Sequence, residues 1–277
     1  MENLLDLVPG LKGPGACFGS AIDHREVQLS AGTAPEMKKD ATALNLATLE
    51  KQLEAAEVFS LRIGRLEQSQ LQLGVKRAMD LFFSALVLVV GAPLFLFLAL
   101  AVRCSSRGPV FFRQTRLGKN GIPFTFYKFR TMHHNNDESV HRSFAQSFIN
   151  GKMESRQGGR VFKMISDPRV TRIGTFLRQS SLDELPQFWN ILKGEMSLVG
   201  PRPPIHYELD HYQDWHKDRL KAKPGLTGLW QVSGRSRVPF DEMVMLDLHY
   251  ITHWSLAMDL RIIFKTIPVL LKGDGAY

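Results

Sequence analysis

The stretch SSLDELPQFWNILKGEMSLVGPRPP, Ser180 to Pro204, sets two adjacent carboxylates, Asp183 and Glu184, just ahead of a proline and an apolar run. Elementary chemistry gives this pair two readings. Proline is tolerated in the first turn of a helix and disfavoured deeper, so Pro186 places a helix start close to Asp183. Ser181 and Glu184 then match the S-x-x-E capping box, and acids there suit the helix dipole. The alternative is phosphate chemistry. Arg160, Lys163, Arg169, Arg172 and Arg178 precede the pair, with Asp167 the one acid among them, and Arg202 follows between prolines in GPRPP. A guanidinium fork grips phosphate oxygens in pairs, and a helix N-terminus adds backbone donors for anions. Carboxylates beside a bound phosphate repel it unless a divalent cation such as Mg²⁺ bridges them. A carboxylate can also attack phosphorus and form an acyl phosphate.

Other motifs carry less. KPGLTGLWQVSGR, Lys223 to Arg235, has turn glycines and basic ends but lacks the G-x-x-x-x-G-K-[ST] order of a phosphate loop, and reads as a structured loop. The nine histidines never form H-E-x-x-H, and His133 and His134 fall in a polar stretch; no zinc site is expected. Cys17 and Cys104 are too few for a disulfide framework, which favours a reducing compartment. MENLLDLVPG has no basic n-region, so no secretory signal is expected.

The elements that must position the carboxylates begin with charge. The first 70 of the 277 residues carry 7 Lys/Arg and 10 Asp/Glu; the remainder carries 28 and 17. The basic part calls for a polyanionic partner: phosphates, anionic lipid or nucleic acid. Residues 1–70 read as a polar extension, disordered at first and helical from about Ala41. Within residues 71–103, the run Leu81–Val102 holds 22 residues without a charge, and roughly 20 suffice to span a bilayer. Gly91 and Pro93 near its middle predict a kink. Lys76 and Arg77 precede the run, and Arg103, Arg107, Arg113 and Arg116 follow it. A spanning helix shows its positive excess on one side only, so charge at both ends favours a re-entrant helix-break-helix over a span. Backbone groups freed at the break then need partners inside lipid, with Ser84 and neighbouring carbonyls as candidates.

From residue 104 to 277 the pattern is a cytosolic α/β domain, mostly helical. GPVFFRQTRLG and PFTFYKFRTM predict two short strands around a Gly118–Gly121 turn. Residues 132–160 read as a mobile polar loop. VFKMISDPRVTRIGTFLRQ reads as a strand, an Asp-Pro turn and a basic helix. Phe240 to Leu271 reads as one helical region that, with Trp254, Arg261 and Lys265, suits either the core or a membrane surface.

With these residues in view, the chain from about Val75 to Tyr277 strongly resembles the bacterial sugar transferases, the monotopic phosphoglycosyl transferases. The matching stretches are KRAMDLFFSALVLVVGAPLF, FYKFRTM, DPRVTRIGTFLRQSSLDELPQFWNILKGEMSLVGPRPP, KPGLTGLWQVSGR, LDLHYITHWSLAMDLRIIFKT and the terminal GAY. The chain resembles a short form, without the multi-spanning N-terminal region of longer members. The resemblance implies an α/β, mostly helical fold: a re-entrant membrane helix-break-helix, a cytosolic catalytic domain and amphipathic interfacial helices. It implies transfer of a sugar-1-phosphate from a UDP-sugar to a polyprenyl phosphate such as undecaprenyl phosphate, with UMP released, as the first step of exopolysaccharide or glycoconjugate synthesis. Asp183 matches the nucleophile that forms a covalent phosphosugar-aspartate. Glu184 matches the second acid, and the pair is expected to hold Mg²⁺. Arg178 and Arg202 match phosphate-holding positions, with Lys128 and Arg130 proposed beside them. The family's break often carries Ser-Pro where this chain has Ala92-Pro93. SGRSRVPFDEMVMLDL and GAY tilt the donor towards UDP-glucose or UDP-galactose. The implied place is the bacterial inner membrane with its lipid, the catalytic domain facing the cytoplasm, and a homodimer is compatible with it.

Two rival classes remain. A non-catalytic, membrane-anchored scaffold binding polyanions would keep the basic residues and the anchor but need neither Asp183 nor Mg²⁺. A nucleic-acid binder would suit the sequence pI of about 9.6, but no recognition motif supports it, so no nucleic-acid partner is expected.

Overall fold

The structure, a computed structural model, describes residues 54, 58–59, 69–134, 139–150, 169–233 and 238–272. The chain divides into two compact units, Met1–Glu54 and Ala55–Tyr277. All described residues but Glu54 belong to the second.

The apolar run forms two helices, α1 (Gln70–Val90) and α2 (Ala92–Ser105), bent by 63° at Gly91. No single described helix is long and apolar enough to cross a membrane; the bent pair passes that test only together. Pro93 removes one donor in the first turn of α2. The Gly91 N–H donates to the carbonyls of Val87 and Val89 and so meets part of the backbone demand at the bend. Glycine is required there, because a Cβ would lie 2.3 Å from the Val87 carbonyl oxygen. Ser84 does not serve the break: its hydroxyl is buried with no hydrogen-bond partner. Both arms expose large apolar side chains, among them Phe82, Leu86, Val89, Leu96, Phe97 and Leu100.

Both arms also pack on the domain. Leu98 and Val102 of α2 join Phe129 and Leu177 in one buried cluster. α1 is fastened by three charged residues. The Lys76 ammonium lies 2.6 Å from Asp259 Oδ2 and donates to the Val199 carbonyl at 3.0 Å. Arg77 donates to the carbonyls of Ile191 and Leu192 at 2.7 and 2.8 Å. Asp80 accepts from the Ser197 hydroxyl and the Leu198 N–H at 3.0 and 2.9 Å. Of the basic residues flanking the run, Lys76 and Arg77 are spent inside the fold and Arg116 is buried, while Arg103, Arg107 and Arg113 stay exposed.

The next elements are β1 (Phe111–Leu117) and β2 (Pro123–Phe129), antiparallel and in register from Phe111↔Phe129 to Leu117↔Pro123. The expected hairpin is there, its turn a short 3₁₀ segment with Asn120 and Gly121 at positive φ. The stretch read as a loop contains a helix, α3 (Ser139–Ile149). Its Ala145, Phe148 and Ile149 are buried, so tertiary burial overrides a polar composition. Of the basic stretch, α4 (Arg172–Gln179) is a helix capped by the Thr171 hydroxyl; the strand expected ahead of it lies outside the described residues, as do Arg160 and Lys163. α5 (Gln187–Lys193) ends at Gly194 in the left-handed region.

β3 (Ser197–Val199) and β4 (Gly225–Thr227) pair in parallel. The glycine-bearing segment that starts at Lys223 supplies β4 and α6 (Leu229–Ser233), whose Trp230 is buried in the main core. The region read as one helix from Phe240 is two, α7 (Phe240–Thr252) and α8 (Leu256–Lys272). The restart has a local cause: the Ser255 hydroxyl accepts from the Met258 N–H. α7 runs through the core, with Val244 and Leu248 fully buried. α8 is amphipathic and exposes Leu260, Phe264, Ile267 and Leu270, three to four residues apart on one face. Trp254 is half-buried and donates to Asp259 at 3.1 Å.

Candidate active site

The two carboxylates do not cap a helix. They sit in a one-turn 3₁₀ segment, Leu182–Glu184, ahead of α5. Ser181 has φ 56° and ψ 16° and makes no side-chain cap. A left-handed non-glycine residue is held there by its surroundings, and such strain gathers at functional sites. Asp183 is only 7% exposed. Both acids turn towards β2, where the Lys128 ammonium lies 2.7 Å from Glu184 Oε1 and 3.5 Å from Asp183 Oδ2. Burial works against that ammonium, but Glu184 and then Asp183 outweigh it and raise the Lys128 pKa. Burial raises the Asp183 pKa above the ordinary carboxylate value; Lys128 opposes the rise, Glu184 adds to it and Arg178 opposes it.

Two helices bring this turn to its place. α4 precedes it and packs on α2; α5 follows it and packs on α1. α4 approaches so closely that a Cβ on Gly174 would fall 1.9 Å from the Thr131 carbonyl oxygen. That approach lets Arg178 Nε donate to Thr131 Oγ1 at 2.9 Å. Asp183 therefore sits between the two helices that carry the apolar arms.

Of the predicted residues, Asp183, Glu184, Lys128 and Arg178 come together. Arg202 is linked to them through Arg116, which interacts electrostatically with both Arg202 and Glu184 and which its sequence context does not mark. Arg116, buried on β1, donates to the Pro203 carbonyl at 3.1 Å and lies 4.2 Å over the Phe126 ring. Burial, and then Arg202, lower its pKa to about 10, while Glu208 and Glu184 hold it up. The Leu117 N–H bonds the Pro204 carbonyl, and Arg116 bridges Ile205, so β1 pins the Pro-Arg-Pro segment. Arg116 shares a face of β1 with Gln114, the acceptor of two of its nitrogens.

Arg130 is placed elsewhere. It donates to the carbonyls of Val102, Ser106 and Pro109 and to the Ser106 hydroxyl. These contacts close the C-terminal end of α2, where a cation suits both the orphan carbonyls and the dipole. Ala92 and Pro93 open α2 at the bend. His133 and His134 are exposed. Among the described residues no group of three or more His, Cys, Asp or Glu is arranged to hold a metal. Asp183 and Glu184 offer two hard carboxylates, which fits an ion completed by phosphate oxygens and water rather than an all-protein cage.

Two adjacent carboxylates beside an ammonium, on a turn whose flanking helices pack on the two apolar arms, form a charged site whose makeup suits a phosphate-bearing ligand. The family model for bacterial sugar transferases matches residues 71–273, and the chain belongs to that family. It is 42% identical over 221 residues to the undecaprenyl-phosphate galactose phosphotransferase of Salmonella typhimurium, covering 80% of this chain and 45% of that protein. It is 43% identical over 210 residues to the UDP-glucose:undecaprenyl-phosphate glucose-1-phosphate transferase of Caulobacter vibrioides, covering 73% and 72%. It is 43% identical over 203 residues to the exopolysaccharide production protein ExoY of Sinorhizobium fredii, covering 73% and 88%. The chain thus spans less than half of some relatives and most of others.

Proposed function

We propose that this chain transfers glucose- or galactose-1-phosphate from a UDP-sugar to undecaprenyl phosphate, releasing UMP, at the cytoplasmic face of a bacterial inner membrane. The observation that carries this reading is the buried Asp183 beside Glu184 and Lys128, on the turn that joins the helices packed on the two apolar arms. The names of the Salmonella and Caulobacter relatives supply the substrate class. The bend at Gly91, and the packing of both arms on one domain, favour a re-entrant segment.

Asp183 attacks the phosphorus that bears the sugar. A bond forms from its carboxylate oxygen to phosphorus, and the bond to the oxygen bridging the two phosphates breaks. UMP leaves with that oxygen and its electron pair. A phosphate oxygen of the lipid then attacks the same phosphorus and expels the Asp183 carboxylate, leaving a lipid diphosphosugar. Two displacements at one centre make the kinetics ping-pong. Lys128 holds the carboxylates and then the transferring phosphoryl group. Arg178 and Arg202 hold the phosphates, with Arg116 orienting the Arg202 segment. Glu184 and the Asp183 oxygen not used in attack would hold Mg²⁺. When bound, that ion neutralises phosphate charge and eases departure of the leaving group.

The test is UMP release from UDP-glucose and UDP-galactose by full-length protein with undecaprenyl phosphate and Mg²⁺, beside Asp183→Asn. Release that the variant abolishes supports the reading, and the better donor identifies the sugar. Release that survives in Asp183→Asn, or none from the wild type with a broad donor panel, overturns it.

A further inference from the structure

The backbone is wound tightly from Leu182 into α5. The N–H groups of Leu185, Phe188 and Trp189 each donate to the carbonyl three residues back, and Leu185 and Pro186 are both helical in φ and ψ. On such a path residues three apart stand in one row. Glu184, Gln187 and Asn190 form that row, and its two ends are tied to β2. Glu184 takes the Lys128 ammonium at 2.7 Å. Asn190 uses its whole amide: Nδ2 donates to the Thr125 carbonyl and to Glu195 at 2.6 and 2.7 Å, and Oδ1 accepts from the Tyr127 N–H at 3.3 Å. Gln187, between them, is the opposite case. It is 2% exposed, yet its Nε2 has no hydrogen-bond partner among the described residues. A buried amide N–H without an acceptor is destabilising. One that stands unpaired a single turn from Asp183 and Glu184 calls for a role.

The reaction supplies the acceptor. In the resting site Lys128 holds Glu184. Once a phosphoryl group is bonded to Asp183, its charged oxygens draw that ammonium towards them, and Glu184 is left as a half-buried carboxylate beside an anion. We propose that Gln187 is the positioning residue for Glu184 at that step: its Nε2–H donates to the Glu184 carboxylate as Lys128 turns to the transferring phosphoryl group. A carboxylate that keeps a donor stays ionised and in place. Without one, it holds Lys128 back or swings away. An amide suits the task because it donates without a charge, and so does not compete with Lys128 for the phosphoryl oxygens. The second Glu184 oxygen stays available to the ion described above. The inference rests on the covalent reading above and deepens it, by naming the residue that lets Lys128 change partners.

The test is Gln187→Met, which keeps the side chain's length and removes the donor; Gln187→Leu takes its place if that variant does not fold. UMP release by full-length protein in nanodiscs is followed across UDP-hexose concentrations, beside a thermal scan. The donor acts only after substrate is bound, so kcat is expected to fall ~10-fold or more, the effect of a hydrogen bond to a charged group, with KM within about twofold of wild type. Melting temperature is expected to hold or rise, because the unpaired amide is gone. In a Glu184→Gln background, where the acceptor is uncharged, the same substitution is expected to lower the residual rate less than about threefold. A kcat within about twofold of wild type overturns the proposal, as does a loss that persists in full in the Glu184→Gln background. A loss of rate that comes with a lowered melting temperature assigns Gln187 to packing and also overturns it. In each of these cases UMP release by the wild type leaves the transferase reading intact; a wild type that releases no UMP from any UDP-hexose overturns both.

Discussion

Two charged clusters of this molecule stand close along the apolar arms and solve opposite problems. At the start of α1, Lys76, Arg77 and Asp80 each find complementary partners: a carboxylate and a carbonyl, two helix-end carbonyls, a hydroxyl and an N–H. At the turn before α5, two carboxylates share one ammonium and Ser181 is left-handed. The first cluster is complete without a ligand and serves the fold. The second sets two like charges side by side at a left-handed turn, an arrangement that a reaction at phosphorus would use. Partner supply, rather than charge count, separates an architectural cluster from a chemical one.

The sharpest way to break this contrast is exchange of the anions. Asp183→Asn is expected to lower UMP release by ~10³-fold or more, as for other covalent nucleophiles, without lowering thermal stability. The sign follows from the raised pKa: the folded state holds that proton more tightly than the unfolded chain, so stability contributed by Asp183 is lost as pH rises through the raised value. Loss of melting temperature in Asp183→Asn would place it with the architectural cluster. Lys76→Met should do the reverse. It leaves the 2% exposed Asp259 without its ammonium, at a cost of about 3 kcal/mol, or a fall of about 10 °C in melting temperature. A normal thermal scan for that variant would remove the distinction.

Gly174→Ala tests the link between them. Its Cβ would meet the Thr131 backbone, so α4 must shift and carry Arg178 with it. We expect about 1–3 kcal/mol of destabilisation together with a rise in donor KM; an unchanged KM would separate Arg178 from the phosphates. The smallest effect is on pH. The donor half-reaction needs Asp183 ionised, so its rate should fall as pH drops through a value above the ordinary carboxylate range. Glu184→Gln removes a neighbouring negative charge that helps raise that value and should move the acid limb of whatever rate remains to lower pH. An acid limb that stays put, or moves up, would assign the titration to another group.

How far the sequence reached depends on how local each cause is. Alternating apolar residues around Gly118 and Gly121 yield the β1–β2 hairpin, and the uncharged run with Gly91 and Pro93 yields the bent pair, because pattern and turn chemistry act within a few residues. Asp183 and Glu184 stand out as a pair, but the capping box expected of them fails: it depends on the backbone at Ser181, which tertiary packing sets. Lys128 and Arg130 should share a face by alternation. β2 stops at Phe129, so Arg130 turns to the end of α2 while Lys128 stays with the carboxylates. Arg116 is hidden for a related reason: its role arises from contacts between segments distant in sequence, and its type alone looks like ordinary surface charge. The helix α3 is masked by its polar composition and is explained by what Ala145, Phe148 and Ile149 bury.

The most direct measurement is intact mass spectrometry of the full-length protein after brief incubation with UDP-glucose or UDP-galactose and Mg²⁺, with no lipid acceptor present. An adduct of one hexose phosphate is expected on the wild type, absent from Asp183→Asn and discharged when undecaprenyl phosphate is added. A wild type that turns over with lipid yet carries no adduct without it, even on rapid quenching, would contradict the covalent role of Asp183 and point to direct displacement between the two substrates.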